Sequence, residues 1–179
     1  MTGPRRPGQR RADTASMLRV DQAGEYGATR IYAGQLAVLR PSSPAAKLVS
    51  RMAMQEQRHL KRFNALMSKR SVRPTLLQPL WKTAGFALGA VTALMSEEAA
   101  MACTEAVETE IDRHYGQQLD EIGDEDPELA ADIAEFRAEE LEHRDTARSA
   151  GAQQAAGYPV LTGAIRAACR VAIGLSKRI

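Results

Sequence analysis

Aromatic residues are scarce in this chain, at 4% of 179 positions, and no stretch alternates apolar and polar residues as a strand does. A sheet-built core is therefore not expected, and few rings are present to stack on nucleic-acid bases. Cysteine is nearly absent. Cys103 and Cys169 form no metal or redox spacing, and they read as small buried apolar residues in a reducing compartment. No apolar run accompanies Arg5, Arg6, Arg10 and Arg11, so neither a secretory signal peptide nor an amphipathic transit peptide is expected there. Residues 1–15 are expected to form a disordered basic tail. No Rossmann fingerprint or phosphate loop occurs, so electrons for redox chemistry must come from outside the chain.

Ala, Leu, Glu, Gln and Arg dominate instead, and this composition favours helix. The length suits one domain, expected over residues 16–179. Charge is unevenly spread. Residues 1–82 carry 16 Lys/Arg against 4 Asp/Glu, and residues 83–179 carry 8 against 18. A basic half suits nucleic acid or anionic lipid, and the missing aromatics leave lipid as the expected partner.

Capping and breaking signals mark out the helices. The first runs from about Ser16 to Leu39 and stops at Arg40-Pro41. Ser42-Ser43-Pro44 opens a second, which runs to about Lys69 before Arg73-Pro74. An apolar segment follows from Leu76 to Met95, then an amphipathic helix from Glu97 to Ile122. Asp126-Pro127 starts the next, which ends near Gly151, and a basic amphipathic helix runs from about Pro159 to Lys177. The expected fold class is all-α. Two antiparallel hairpins joined by one long crossover, here the Pro74–Met95 segment, is the connectivity of ferritin-like four-helix bundles.

The chemistry lies in a repeat. Glu56-x-x-His59 and Glu140-x-x-His143 each place a carboxylate and an imidazole one helical turn apart, facing the same way. Glu25 precedes Glu56 by 31 residues, and Glu108 precedes Glu140 by 32. Each hairpin thus offers a glutamate on its first helix and Glu-x-x-His on its second, which is the di-iron carboxylate pattern. All four acids interrupt apolar stripes: Leu18, Ala28 and Tyr32 flank Glu25, and Ile133, Phe136 and Ala147 flank Glu140. Glu135, Glu139 and Glu142 share a polar face and are expected in solvent.

Four converging buried carboxylates need cations, and two Fe2+ ions balance their charge. Oxygen-rich ligation with one imidazole per metal suits iron or manganese better than zinc. Glu56 and Glu140, each beside its own histidine, are expected to bridge, with Glu25 and Glu108 terminal. Tyr115, two turns after Glu108, is a candidate hydrogen-bond donor to a ligand. For His114, roles as a supporting partner and as a surface residue stay open. Glu97 also lies on an apolar stripe, yet it breaks the repeat and is left out.

The crossover is apolar with Trp81 at its start, and Arg58, Lys61, Arg62, Lys69, Arg70 and Arg73 precede it. Its uncharged run is too short for a comfortable span, so a buried or an interfacial helix is expected, the latter attached to anionic lipid. The last helix sets Arg166 and Arg170 beside Leu161 and Ile165. Gly85-Phe86-Ala87-Leu88-Gly89 has the small-xxx-small spacing of close helix packing.

Longer strings carry a family likeness. Val20-Asp21-Gln22-Ala23-Gly24-Glu25-Tyr26-Gly27-Ala28, Pro79-Leu80-Trp81, Ala100-Met101-Ala102-Cys103-Thr104 and Cys169-Arg170-Val171-Ala172-Ile173 resemble demethoxyubiquinone hydroxylases. Gln22 departs from the histidine common at that position. The resemblance implies iron held by Glu25, Glu56, His59, Glu108, Glu140 and His143. It also implies an O2-dependent monooxygenase of ubiquinone biosynthesis, with a 2-polyprenyl-3-methyl-6-methoxy-1,4-benzoquinone or its quinol hydroxylated at the free ring carbon. An external electron donor, a lipid-binding partner protein or a homodimer belong to the same expectation. The expected location is the cytoplasmic face of a bacterial inner membrane, with the matrix side of the mitochondrial inner membrane as the alternative. Two rivals stand beside it: a ferritin-like iron oxidase or peroxidase with the same ligands, and a non-enzymatic membrane scaffold.

Overall fold

The computed structural model describes residues 12–178, and most of the basic tail lies outside them. Among the described residues the chain is all helical: α1 (Thr14–Val38), α2 (Pro44–Arg70), α3 (Gln78–Met95), α4 (Glu97–Ile122), α5 (Pro127–Ser149) and α6 (Tyr158–Ser176). A short 3-10 turn, Ala152–Gln154, precedes α6 and was not foreseen. α1 begins two residues earlier than expected, because Asp13 caps it by accepting from the Ser16 amide at 3.0 Å. Ser43, Ser96 and Asp126 cap α2, α4 and α5 in the same way. Pro44 and Pro127 sit at the first turns, where a missing N–H costs nothing.

α1 pairs with α2 and α4 with α5, as two hairpins, and α3 crosses between them while packing along α1. The α1–α3 approach depends on glycine. A Cβ at Gly89 would stand 1.9 Å from the Ile31 carbonyl oxygen, and one at Gly34 would stand 2.1 Å from that of Phe86. The small-residue spacing in α3 therefore sets how closely the crossover lies on the bundle. α6 packs mainly on α4.

Two apolar clusters fill the ends of the bundle. One joins Leu18, Phe63, Leu66, Ile122, Ile133 and Phe136, and the other joins Tyr32, Val49, Met52, Met101 and Ala147. On every bundle helix the candidate ligand glutamate falls between a residue of one cluster and a residue of the other. The polar site therefore occupies a layer sealed from both ends.

The uneven charge has a structural use that differs from the expected one. Basic α2 faces acidic α5: Arg58 pairs with Glu135 and Glu139, and Arg62 with Asp132 at 2.8 Å. Further along, Lys69 pairs with Glu128 at 2.9 Å and Arg70 with Asp126. Four of the six basic residues assigned above to lipid are thus engaged within the protein. Surface pairs of this kind contribute little stability singly, but a ladder of them fixes one hairpin's register on the other.

Candidate metal centre

Glu25 comes from α1, Glu56 and His59 from α2, Glu108 from α4, and Glu140 and His143 from α5. All six are buried, none more than 2% exposed. Their ligand atoms fall into two groups of four, Glu25/Glu56/His59/Glu140 and Glu56/Glu108/Glu140/His143, with atoms in each group within 4.8 Å of one another. Glu56 and Glu140 belong to both groups, which is where bridging carboxylates would stand. Glu97 belongs to neither; it lies in the first turn of α4, where the helix dipole suits an acid.

Several inward atoms lack an aligned hydrogen-bond partner: both oxygens of Glu56, Glu25 Oε2, Glu108 Oε2, Glu140 Oε1 and His59 Nδ1. Such atoms are costly when buried, unless a cation takes them. The donor set fits two divalent cations, because their charge cancels four carboxylates in a space that water does not reach.

The electrostatics agree. Burial, followed by the repulsion of neighbouring glutamates, pushes Glu56 and Glu108 well above the usual carboxylate range, and burial also raises Glu140. His59 Nδ1 lies 3.1 Å from Glu140 Oε1 and 3.3 Å from Glu25 Oε2. Burial opposes a charge on this ring, but Glu140 and Glu25 outweigh it and raise His59 to about 10. A metal cation at that position would take the proton's place. His143 is lowered by burial, which outweighs the pull of Glu108. Its Nδ1 stands 3.0 Å from Glu140 Oε2 and 3.2 Å from Glu56 Oε1.

A ring of supporting contacts surrounds the six. Tyr115 donates to Glu25, so it serves the opposite hairpin rather than Glu108 on its own helix. Tyr32 donates to Glu108 Oε1 at 2.6 Å. Burial and the adjoining carboxylates hold both phenols well above their usual value, so both remain donors. Tyr32 follows Glu25 by the same two turns that separate Tyr115 from Glu108, and that symmetry was the overlooked signal.

Glu139 corrects the sequence reading. It is not in open solvent: it accepts from Arg58 and lies 2.7 Å from His59 Nε2. Burial, which would raise it, is outweighed by Arg58 and His59, and its pKa is lowered. Gln55 stands 3.0 Å from His143 Nε2. His114 is buried rather than superficial and sits beside Gln118 and Asp21, at 3.0 and 3.5 Å. It does not join the six.

An apolar cavity of about 180 Å³ lies between α1, α3, α4 and α6, and none of the six residues is in its lining. Gly24 and Ala28 of α1, Leu88 of α3, Val107 of α4, and Cys169 and Ile173 of α6 line it. Gly24 and Val107 are the chain neighbours of Glu25 and Glu108. Trp81 Nε1 donates to Ser176 Oγ at 3.1 Å and ties α3 to α6 across its edge.

Residues 12–176 match the family model described as ubiquinone biosynthesis protein COQ7. The 3-demethoxyubiquinol 3-hydroxylase of Rhodospirillum rubrum is 56% identical over 162 residues, covering 90% of this chain and 76% of the relative. The human mitochondrial NADPH-dependent 3-demethoxyubiquinone 3-hydroxylase is 52% identical over 173 residues, covering 94% and 79%. The mitochondrial 5-demethoxyubiquinone hydroxylase of Saccharomyces cerevisiae is 48% identical over 179 aligned positions, covering 91% and 77%. With the match extending over every described helix, the chain belongs to the family of ubiquinone biosynthesis protein COQ7.

Proposed function

We propose that the chain is a di-iron monooxygenase that hydroxylates the ring of a demethoxyubiquinone, or its quinol, in ubiquinone biosynthesis. The observation that carries this reading is the buried layer of four glutamates and two histidines, with an apolar cavity between α1, α3, α4 and α6 that shares α1 and α4 with it. Glu25, Glu56, His59, Glu108, Glu140 and His143 would hold two iron ions. When bound, the irons supply dioxygen activation: one oxygen atom enters the ring C–H bond and the other leaves as water.

The protein's own part is positional. Tyr32 and Tyr115 hold the two terminal glutamates by one hydroxyl each. Phe136 stacks on the His59 ring at 4.1 Å between centroids and fixes its plane. The apolar walls exclude water and offer a flat quinone ring a surface to lie on. A storage-type iron oxidase has no use for such a cavity, and a scaffold has no use for the ligands.

The polyprenyl tail calls for contact with a membrane. Leu80, Leu94 and Met95 of α3 and Val160 and Val171 of α6 are exposed large apolar residues, on the two helices that flank the cavity. Among the described residues α6 is long and apolar enough to cross a membrane by length and composition. It carries Arg166 and Arg170 on the Glu110 side, at 2.8 and 3.4 Å. Peripheral attachment through α3 and α6 follows, and the cytoplasmic face of a bacterial inner membrane remains the proposed location. A reduced nicotinamide nucleotide, named for the mammalian relatives, is the proposed electron donor.

Quinone analysis of a deletion strain tests the function. Loss of the gene should accumulate the demethoxy quinone and abolish ubiquinone, and the wild-type chain should restore it. Normal ubiquinone in a deletion strain with no substitute hydroxylase would contradict the reading.

A further inference from the structure

The two halves of the site match almost group for group. Each terminal glutamate accepts from one tyrosine, Glu25 from Tyr115 and Glu108 from Tyr32. Glu56 and Glu140 are common to both ligand groups. The outer nitrogens of the histidines break the match. His59 Nε2 meets a carboxylate, Glu139 Oε2, at 2.7 Å, whereas His143 Nε2 meets an amide, Gln55 Oε1, at 3.0 Å. These partners hold equivalent places in the repeat: Gln55 precedes Glu56, Glu139 precedes Glu140, and each reaches the histidine of the opposite hairpin. Arg58 holds Glu139 in place, and the Glu139 side chain is only 18% exposed.

A carboxylate that accepts from one imidazole nitrogen draws positive charge toward itself and enriches the other nitrogen as a donor to metal. A neutral amide does this far less. Loss of such a partner typically weakens metal affinity by roughly 10–100-fold. The bridging acids cannot discriminate, since both positions share them.

We infer that Glu139 is a positioning residue that makes the two metal positions unequal, so that the position beside His59 fills first and holds its cation more tightly. This rests on the two-metal reading above. In this chain Gln55 is what leaves the position beside His143 the weaker of the two.

The chain has three histidines, so ring-15N labelling of histidine resolves each ring as metal is added. Metal-free full-length protein is titrated with Zn2+ as a diamagnetic probe, and the variant His143→Asn supplies the assignment. Below one equivalent the His59 signals should move first, with occupancy favouring that position by at least about tenfold. Glu139→Gln should remove the preference by weakening the first position. Gln55→Glu should remove it by strengthening the second, which keeps the test decisive if Glu139→Gln folds poorly. His59 and His143 moving in parallel in the wild type, His143 moving first, or an unchanged preference in Glu139→Gln would overturn the inference while leaving two bound metals. Neither ring responding by two equivalents would overturn the two-metal reading as well.

Discussion

The Tyr32 hydroxyl on α1 donates to Glu108 Oε1 on α4 at 2.6 Å, so a residue of the first hairpin holds a candidate ligand of the second. Tyr115 returns the contact to Glu25. The two hairpins are thereby cross-tied through the candidate ligands, not only through the apolar clusters at their ends.

Removing one tie should loosen a ligand without emptying the core. Tyr32→Phe keeps the ring but leaves Glu108 without its donor. Metal affinity should fall roughly tenfold, with helical content unchanged by circular dichroism. Unaltered affinity on calorimetric titration would show that the hydroxyl does not position Glu108.

The crossover's seat is steric. Gly89→Ala would place a Cβ 1.9 Å from the Ile31 carbonyl oxygen, on backbone that has no rotamer to yield. The cost should be roughly 1–3 kcal/mol, read as a lower unfolding midpoint in denaturant. Gly163→Ala, where a Cβ meets nothing within 4 Å, should be neutral or slightly stabilising by comparison.

Much of this was legible in the sequence because helical periodicity and the doubled Glu-x-x-His place the six ligand candidates without any tertiary information. Two helix starts were legible for the same kind of local reason: Ser43 and Asp126 cap the amides of Ala46 and Leu129. Cross-helix relations were not. Glu139 looks solvent-facing on α5 alone, and only the arrival of Arg58 and His59 from α2 encloses it. The basic run of α2 looked available to lipid until α5 supplied its acids.

That ladder has a pH signature. Asp126 accepts from the Leu129 amide at 3.1 Å and from Arg70. Burial, which would raise its pKa, is outweighed by Arg70 and the amide, and the group falls below its ordinary 3.8. A depressed carboxylate contributes stability above its unfolded value, and that contribution is lost as pH falls from about 3.8 through the folded value. Asp126→Asn keeps a capping side chain but removes the charge. Wild type should exceed it by roughly 1 kcal/mol near neutrality, and the gap should close below pH 3.8. A gap independent of pH would assign the effect to capping alone.

Membrane attachment should depend on apolar area more than on charge, because Arg58, Arg62, Lys69 and Arg70 already have partners on α5. Leu94, 71% exposed on α3, is a direct probe. Leu94→Asp should reduce partitioning onto phospholipid vesicles about tenfold or more and leave metal content intact. Binding abolished by moderate salt in the wild type would instead return the leading role to charge.

The most direct test of the whole account is anaerobic Fe2+ titration of the metal-free chain, with iron counted per chain after removal of unbound ions. Wild type should hold two. Glu56→Ala and Glu140→Ala should each lose both, because each glutamate belongs to both ligand groups. Two irons retained in both folded variants would contradict the assignment of the bridging pair and, with it, the proposed centre.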